Sequence, residues 1–417
     1  MVDYDVIVVG GGPGGCAAAK TAAAKHLKVL MLERTKNPGE GNMSGSVFFK
    51  PISEEIFPGI SEQPFVKRYL MGGRFSLVGC ENDGTGLGLV ISMSPEVTSN
   101  MLEIFRNESD KWLAEQAVKS GVKLKTACAR DLIIEDNKVK GVIVDGGERI
   151  EAPITIGADG LHSMVARRSG LGTKYTNPSP KVSLAIRYVF KLPPEVLDDR
   201  IGSGGSGSIN FGTGYFGGDP TQWLATLMTP SSEHGIAVAS VYQPISEMAA
   251  QKVNIHQRMK WFLNLPECRR ILKGAEFTYF NSHCLSWVEW VGYAKKTYMD
   301  GLMLVGDAAG MANPLDGFGA NTAMVAGQMA GAVAAEAKLK GDYSGKVLAE
   351  YEKRWRASFI GVDEKLACDL SNFMMHDFGE LFRNFNAMAG RILEAKLNNK
   401  SYADIREEVG SLLPWSK

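Results

Sequence analysis

With 417 residues, 45% of them hydrophobic and 22% charged, the chain has enough apolar material for a large core divided into two or three substructures. Its 46 basic and 46 acidic side chains cancel, so no global field draws it to nucleic acid or to an anionic surface, although a local patch stays open. Six cysteines, at positions 16, 80, 128, 268, 284 and 368, have no paired short spacing, which leaves neither zinc nor an iron–sulfur cluster a ligand run.

No segment approaches the ~20 uninterrupted apolar residues that a membrane-crossing helix needs. The scattered cysteines, and an N-terminus that enters apolar sequence with no basic n-region or cleavage site, give the expectation of a cytoplasmic protein. Any membrane contact is then peripheral, on the inner face.

The chain opens on an apolar strand, Asp5-Val6-Ile7-Val8-Val9, which runs into Gly10-Gly11-Gly12-Pro13-Gly14-Gly15 and an Ala-rich helix. The spacing Gly10-x-Gly12-x-x-Gly15 is that of a dinucleotide site: one glycine makes the tight turn, one lets backbone approach a pyrophosphate, and one lets helix and strand pack. A second buried strand, Val29-Leu30-Met31-Leu32, ends at Glu33, where a carboxylate is placed to take both hydroxyls of a ribose. The helix N-terminus between the strands offers free N–H groups and a positive dipole end. Cys16 sits where a small residue is needed for packing, and that steric role is favoured over a reactive thiolate.

The stretch Asn37-Pro38-Gly39-Glu40-Gly41-Asn42-Met43-Ser44-Gly45 is a loop beside the nucleotide. Helical periodicity follows from Phe105 to Val118, then a strand from Val122 to Cys128. A hairpin runs through Ile133-Ile134, Asp136-Asn137 and Val142-Ile143-Val144, and a short buried strand from Ala152 to Ala158 ends at Asp159-Gly160. From about Lys181 to Tyr279 the pattern alternates, as in Val182 to Phe190 and Trp223 to Leu227, which predicts an antiparallel sheet. The glycines of 202–218 are assigned to hairpin turns, because no strand and helix flank them as a second dinucleotide site requires.

At Gly301 to Gly310 a strand again meets a helix, Ala-rich to about Ala337. The tail reads as helical, with Met374, Phe378, Leu381, Phe385 and Met388 on one face that suits core or subunit packing better than lipid. Trp287 and Trp290 carry two readings, membrane interface and core, of which core is the commoner for aromatics on an alternating segment.

Three separated elements, the glycine fingerprint with Glu33, Asp159-Gly160 with Ser163 and Arg167, and Gly306-Asp307, together resemble the FAD-binding fold of the glutathione-reductase-like flavoproteins. The subgroup is the one shared by aromatic hydroxylases, geranylgeranyl reductases and electron-transfer-flavoprotein:quinone oxidoreductases. The resemblance implies an α/β fold: a Rossmann-type FAD-binding domain (1–75, 101–180 and 280–345), an inserted antiparallel-sheet substrate domain (76–100 and 181–279), and a helical C-terminal region (346–417). It also implies the cofactor contacts: Gly10, Gly12, Pro13, Gly14 and Gly15 at the pyrophosphate, Glu33 and Arg34 at the adenosine ribose, and Arg106 beside the phosphates. Asn42, Ser44 and Gly45 line the neighbouring loop, with Cys128, Ala129, Ala158, Asp159 and Gly160 at adjoining strand ends. Gly306 and Asp307 face the ribityl or pyrophosphate region, and Asn313, Pro314, Gly317, Gly319 and Ala320 lie near the isoalloxazine. Neither His162 nor Ser163 has a local acid to orient it as a nucleophile, so catalysis is centred on the flavin and no metal is expected.

Two loops narrow the subgroup in different directions. Pro38 to Gly45 is similar to the Pro-Gly-x-Lys-Asn-x-x-Gly loop of the FixC-type quinone oxidoreductases, with Gly41 in place of the lysine, whereas Asn313 to Gly319 is closer to the geranylgeranyl-reductase pattern. The first implies electrons from an electron-transferring flavoprotein or small ferredoxin to a membrane quinone, any iron–sulfur cluster lying on a separate subunit. The second implies a prenyl lipid whose double bonds are saturated. A flavin relay subunit of a larger complex, and an NADPH-dependent aromatic hydroxylase, are the other expectations.

Overall fold

The computed structural model describes residues 3–40, 42, 46–69, 73–80, 86–92, 100–172, 182–201, 210–216, 224–231, 235–286, 292–312, 319–361 and 364–372. The chain divides into two compact units, the first made of 1–69, 99–183 and 281–368, the second of 70–98, 184–280 and 369–417.

The first unit is built on β1 (Val6–Val9), α1 (Pro13–Ala24) and β2 (Val29–Glu33), followed by α2 (Arg106–Lys119), β3 (Lys123–Thr126) and β4 (Ile154–Gly157). It is completed by β5 (Tyr298–Met299), β6 (Leu302–Leu304), α3 (Gly319–Lys340) and α4 (Gly345–Ala357). The strands form one sheet in the order β5-β6-β4-β1-β2-β3. All its pairings are parallel except the edge hairpin β5-β6. Every residue of β1, β4 and β6 is buried, as expected of a parallel sheet covered on both faces, and this is why these strands read as continuous apolar runs. The register brings Val9 beside Leu32 and Gly157, Glu33 beside Thr126, and Gly157 beside Leu304. The carboxyl ends of the strands therefore share one edge, where open α/β sheets bind ligands.

Two long-range contacts fix what stands over that edge. Helix α3 lies against α1 so closely that a Cβ on Gly327 would come within 2.1 Å of the Gly14 carbonyl oxygen, and one on Gly331 within 2.5 Å of that of Ala18. Small residues thus let two helices meet backbone to backbone. On the other flank α4 buries Tyr351 and Trp355 completely; Tyr351 Oη donates to the Leu304 carbonyl at 2.7 Å and Trp355 Nε1 to Thr297 Oγ1 at 3.0 Å. Residues 346–368, expected in the helical C-terminal region 346–417, fall in the first unit, where α4 packs both on α3, with Arg354 bridging to Glu336 at 2.8 Å, and on the edge strands β5 and β6.

The second unit holds a seven-stranded sheet in the order 276–285, 183–191, 236–244, 224–231, 210–216, 73–80, 86–92. Strand 224–231 pairs antiparallel with 210–216 and 236–244, and 73–80 with 86–92, as the alternating pattern leads one to expect, but strand 210–216 pairs in parallel with 73–80, Asn210 opposite Gly73. The helices Ile255–Asn264 and Pro266–Ile271 bury Met259, Phe262, Cys268 and Ile271 in a core with Ile186, Ala225 and Ala239 of the sheet. The expectations placed on Trp287, Trp290, Met374, Phe378, Leu381, Phe385 and Met388 lie outside the described residues. No helix among the described residues is long and apolar enough to cross a membrane.

Candidate functional site

The turn from β1 to α1 is shaped by three glycines with different surroundings. Gly10 has φ +110°, and a Cβ there would sit 2.3 Å from the Ala158 carbonyl oxygen. A Cβ on Gly15 would meet the Gly10 carbonyl oxygen at 1.9 Å, so the first and third glycines are demanded by packing. At Gly12 a Cβ would meet nothing within 4 Å. Its vacant side opens above the first turn of α1, which has Pro13 in its first turn, no side-chain cap and no acidic residue. Uncapped N–H groups at a positive dipole end, with backbone approachable from outside, form a cradle for a phosphate. Cys16 is fully buried, its thiol donates to the Gly11 carbonyl at 3.2 Å, and burial, with the charges of Asp110 and Glu33, pushes its pKa well up. It is a packing residue, as its position in the sequence predicts.

Glu33, at the end of β2, is held from two directions. Gly11 N–H donates to Oε2 at 2.9 Å, while the Thr35 N–H and hydroxyl both donate to Oε1, at 3.0 and 2.9 Å. Oε1 is saturated, and Oε2 keeps acceptor capacity for a sugar hydroxyl. Thr35 was not singled out from sequence; a hydroxyl two residues past the strand-end acid is the signal that points to it. Arg34 is exposed. The Ala127 N–H donates to the Glu33 carbonyl at 2.9 Å, so Cys128 and Ala129 follow directly beyond this strand end, the Cys128 N–H held by Asp145 at 2.8 Å.

The loop after β2 docks on the start of α2. Arg106 Nε and Nη2 each donate to the Asp110 carboxylate at 2.8 Å, and Asn42 Nδ2 donates to the same carboxylate at 2.8 Å. Gly39, at φ +86°, allows this approach, since its Cβ would lie 2.6 Å from the Arg106 carbonyl oxygen. Burial pulls the Arg106 guanidinium down, but Asp110 outweighs it and holds the cation above its ordinary value. Among the described residues no acceptor engages its Nη1 donors, which can serve an anion. Asp110 holds Arg106, and Asn42 in turn holds Asp110; the Arg-x-x-x-Asp spacing on one helix face is the readable half of that relation, while the partnership of Asn42 and Asp110, 68 positions apart, is not local.

Gly306-Asp307 leads into a 3₁₀ turn, Gly306–Ala309, closed by Gly310 at φ +75°, and not straight into α3 (Gly319–Lys340). The expectation that one helix starts directly at Asp307 is corrected: the positive end beside its carboxylate belongs to α3, where a Cβ on Gly319 would lie 3.5 Å from Asp307 Oδ1. Among the described residues no donor occupies that carboxylate. Burial raises its pKa, against the pull of the Arg106 charge. Ala320 follows in the first turn of α3; Ser44, Gly45, Asn313, Pro314 and Gly317 lie outside the described residues.

Asp159, at the strand end, also caps a helix. Ser163 Oγ donates to Oδ1, Val165 N–H donates to Oδ2 at 3.1 Å, and Ser163 Oγ in turn accepts from Ala166 N–H at 2.8 Å. Both carboxylate oxygens are engaged in starting the helix Met164–Ser169, and burial raises its pKa. What this segment brings to the strand edge is backbone: Ala158 N–H donates to the Val9 carbonyl at 2.8 Å, and Gly160 turns at φ +78°. His162 is exposed and Ser163 is committed to the cap, so neither forms a nucleophile.

A phosphate cradle at α1, a ribose acceptor at Glu33, a fixed cation at Arg106 and an open carboxylate at Asp307 fit a dinucleotide laid along the strand ends. Residues 5–189 match the model of the FAD dependent oxidoreductase family. The chain is 28% identical over 360 residues to protein FixC of Escherichia coli O157:H7, covering 84% of this chain and 81% of that protein. To FixC of Rhizobium meliloti it is 27% identical over 386 residues, covering 92% and 87%. Among solved structures, a geranylgeranyl bacteriochlorophyll reductase-like protein from Thermoplasma acidophilum superposes with a TM-score of 0.71 at 23% identity, over 99% of this chain and all of that one. The flavin-dependent brominase Bmp2 superposes with a TM-score of 0.63 at 18% identity, over 98% and 92%.

The chain is an FAD-dependent oxidoreductase, and FAD is its cofactor. Within that class it is similar to the FixC proteins over most of both chains, and it shares the fold of the geranylgeranyl bacteriochlorophyll reductase-like protein.

Proposed function

We propose that the chain accepts electrons from an electron-transferring flavoprotein or a small ferredoxin and passes them to a membrane quinone, any iron–sulfur cluster of the route lying on a separate subunit. The observation that carries this reading is the similarity to FixC proteins over most of both chains, joined to the Pro38-to-Gly45 loop whose pattern resembles the quinone-linked subgroup. FAD supplies the redox chemistry, and no side-chain nucleophile is needed. The chain's own residues hold the cofactor and set the charge around it. Arg106, fixed by Asp110, offers a guanidinium beside the phosphates, and Glu33 orients the ribose. Asp307, at the positive end of α3, accepts from the sugar chain.

The fold shared with the geranylgeranyl-reductase-like protein supports a competing reading, saturation of isoprenoid double bonds. One experiment separates the two. The FAD-loaded chain is reduced anaerobically with electron-transferring flavoprotein, with a low-potential ferredoxin and with NADPH, and is then offered a quinone or a prenyl lipid. Rapid reduction by the protein donors and reoxidation by quinone is the expected result. Alkene saturation without quinone turnover replaces the proposal by the competing reading, and oxygen-dependent hydroxylation after rapid reduction by NADPH overturns both.

A further inference from the structure

The charge balance of the whole chain conceals one strongly basic segment. Residues 252–275 hold six basic side chains, Lys252, Arg258, Lys260, Arg269, Arg270 and Lys273, against one acidic, Glu267, on a chain whose net charge is zero. The segment folds as the helices Ile255–Asn264 and Pro266–Ile271 of the second unit, whose apolar faces are turned into its core. Lys252, Lys260, Arg269, Arg270 and Lys273 are exposed.

Arg269, Arg270 and Lys273 rim a shallow trough of about 580 Å³ whose floor includes Phe190, Leu263 and Leu272. The apolar surface continues from that floor along the edge strand. Phe190 meets Phe277 at 5.9 Å between ring centroids, Phe277 meets Tyr188 at 5.2 Å, Tyr188 meets Phe280 at 6.0 Å, and Phe280 meets His256 at 5.4 Å. Along this row Phe277 is 48% exposed and Phe280 53%, with Tyr279 between them at 44%. The strand bearing them is the last of its sheet. Half-exposed rings on an edge strand are costly unless something apolar covers them.

We infer that this face of the second unit docks on an anionic phospholipid bilayer, with Arg269, Arg270 and Lys273 on the headgroups and Phe277 and Phe280 at the headgroup–acyl boundary. An acidic protein surface would answer the charges alone. The contiguous row of half-exposed rings beside the cations is the pairing a bilayer interface satisfies, since aromatic rings settle at headgroup depth and each basic residue gains from the negative surface potential. The inference stands on the patch and does not require the quinone reading.

The full-length FAD-loaded chain is sedimented with vesicles of phosphatidylcholine alone and of phosphatidylcholine mixed with phosphatidylglycerol. Binding is expected to the mixed vesicles only, and to fall as salt shortens the screening length from about 10 Å at 0.1 M toward about 3 Å at 1 M. The double variant Arg269→Glu/Lys273→Glu, at exposed positions, lowers affinity at least about tenfold with flavin content and melting temperature unchanged. The variant Phe277→Ser/Phe280→Ser weakens binding at low salt as well. Equal binding to both vesicle types, unchanged binding of the charge-reversed variant, displacement by soluble glycerol phosphate at headgroup concentration, or no sedimentation of the folded chain each overturns the inference. Loss of quinone turnover with vesicle binding intact counts against the quinone reading and leaves this one standing.

Discussion

Arg106 and Asp110 stand one helical turn apart on α2 and are joined by two parallel hydrogen bonds of 2.8 Å, with the Asp110 side chain wholly buried and that of Arg106 21% exposed. The carboxylate also takes the Asn42 amide, so one buried acid ties the phosphate-side cation to the loop beside the nucleotide. Removing one partner of a buried pair leaves the other charge uncompensated. Asp110→Ala is therefore expected to destabilise the apoprotein by about 3 kcal/mol, the low end for such a break because Arg106 keeps some contact with solvent. Arg106→Lys keeps the charge but loses the fork, and is expected to weaken FAD binding with a smaller loss of stability. Urea unfolding of the apoprotein and flavin-fluorescence titration check the two variants. Equal stability of Asp110→Ala and wild type would remove Asp110 from this role.

The fingerprint glycines separate into those required by the fold and the one left clear for a ligand. A methyl on Gly15 would lie 1.9 Å from the Gly10 carbonyl oxygen and force α1 away from β1, whereas a methyl on Gly12 would enter open space. Gly15→Ala is expected to cost at least about 1–3 kcal/mol in the apoprotein, the range for overpacking. Gly12→Ala is expected to cost the apoprotein at most about 1 kcal/mol, as a poorer N-cap, while abolishing tight FAD binding. Thermal melts with and without FAD distinguish them: for Gly12→Ala the apoprotein melts near wild type and FAD no longer raises the melting temperature. If Gly12→Ala retains full flavin affinity, the open side of that glycine is not where the pyrophosphate lies.

Glu33 is pre-oriented by Gly11 and Thr35 before any ligand arrives, leaving Oε2 to receive the ribose. Glu33→Gln preserves shape but removes the charged acceptor, and hydrogen bonds to charged groups contribute about 1.5–3 kcal/mol. FAD affinity is expected to fall by about tenfold or more, with FMN affinity unchanged because FMN lacks the adenosine ribose. Parallel titrations with FAD and FMN test this. A similar loss for both cofactors would place Glu33 in a purely structural role.

Local pattern foretold the parts of this site that are local. The run from Val6 to Glu33 shows strand, turn, helix and strand because a parallel sheet buried on both faces leaves its strands apolar throughout, and the turn between them cannot carry side chains at Gly10 and Gly15. The parts set by distant contacts were not readable. Nor was the cap that Asp159 makes with Ser163 and Val165 at the start of the helix Met164–Ser169. The 3₁₀ turn Gly306–Ala309, closed by Gly310, stands between Asp307 and α3, and hydrophobic periodicity does not register it. The close contact of α1 with α3 rests on Gly327 and Gly331, which in the sequence are simply two glycines in an Ala-rich helix.

Asp307 provides a case in which function and stability oppose each other. Burial raises its pKa, the Arg106 charge offsets part of that rise, and no donor among the described residues occupies the carboxylate. A carboxyl whose folded pKa exceeds its unfolded value binds its proton more tightly in the native state. Stability therefore falls as pH rises from the ordinary carboxylate range through the raised folded value, and the whole penalty is present above it. Asp307→Asn removes that titration. The apoprotein of the variant is expected to be more stable than wild type at neutral pH, with the advantage shrinking to nothing as pH is lowered through the ordinary carboxylate range. FAD binding should move the other way, weakening by about tenfold or more as a charged acceptor for sugar hydroxyls is lost. Urea unfolding of both apoproteins across that pH range, with flavin titrations at neutral pH, tests both halves. A variant less stable than wild type at neutral pH would mean that the charged carboxylate is well solvated in the apoprotein, and its position at the end of α3 would then need another reason.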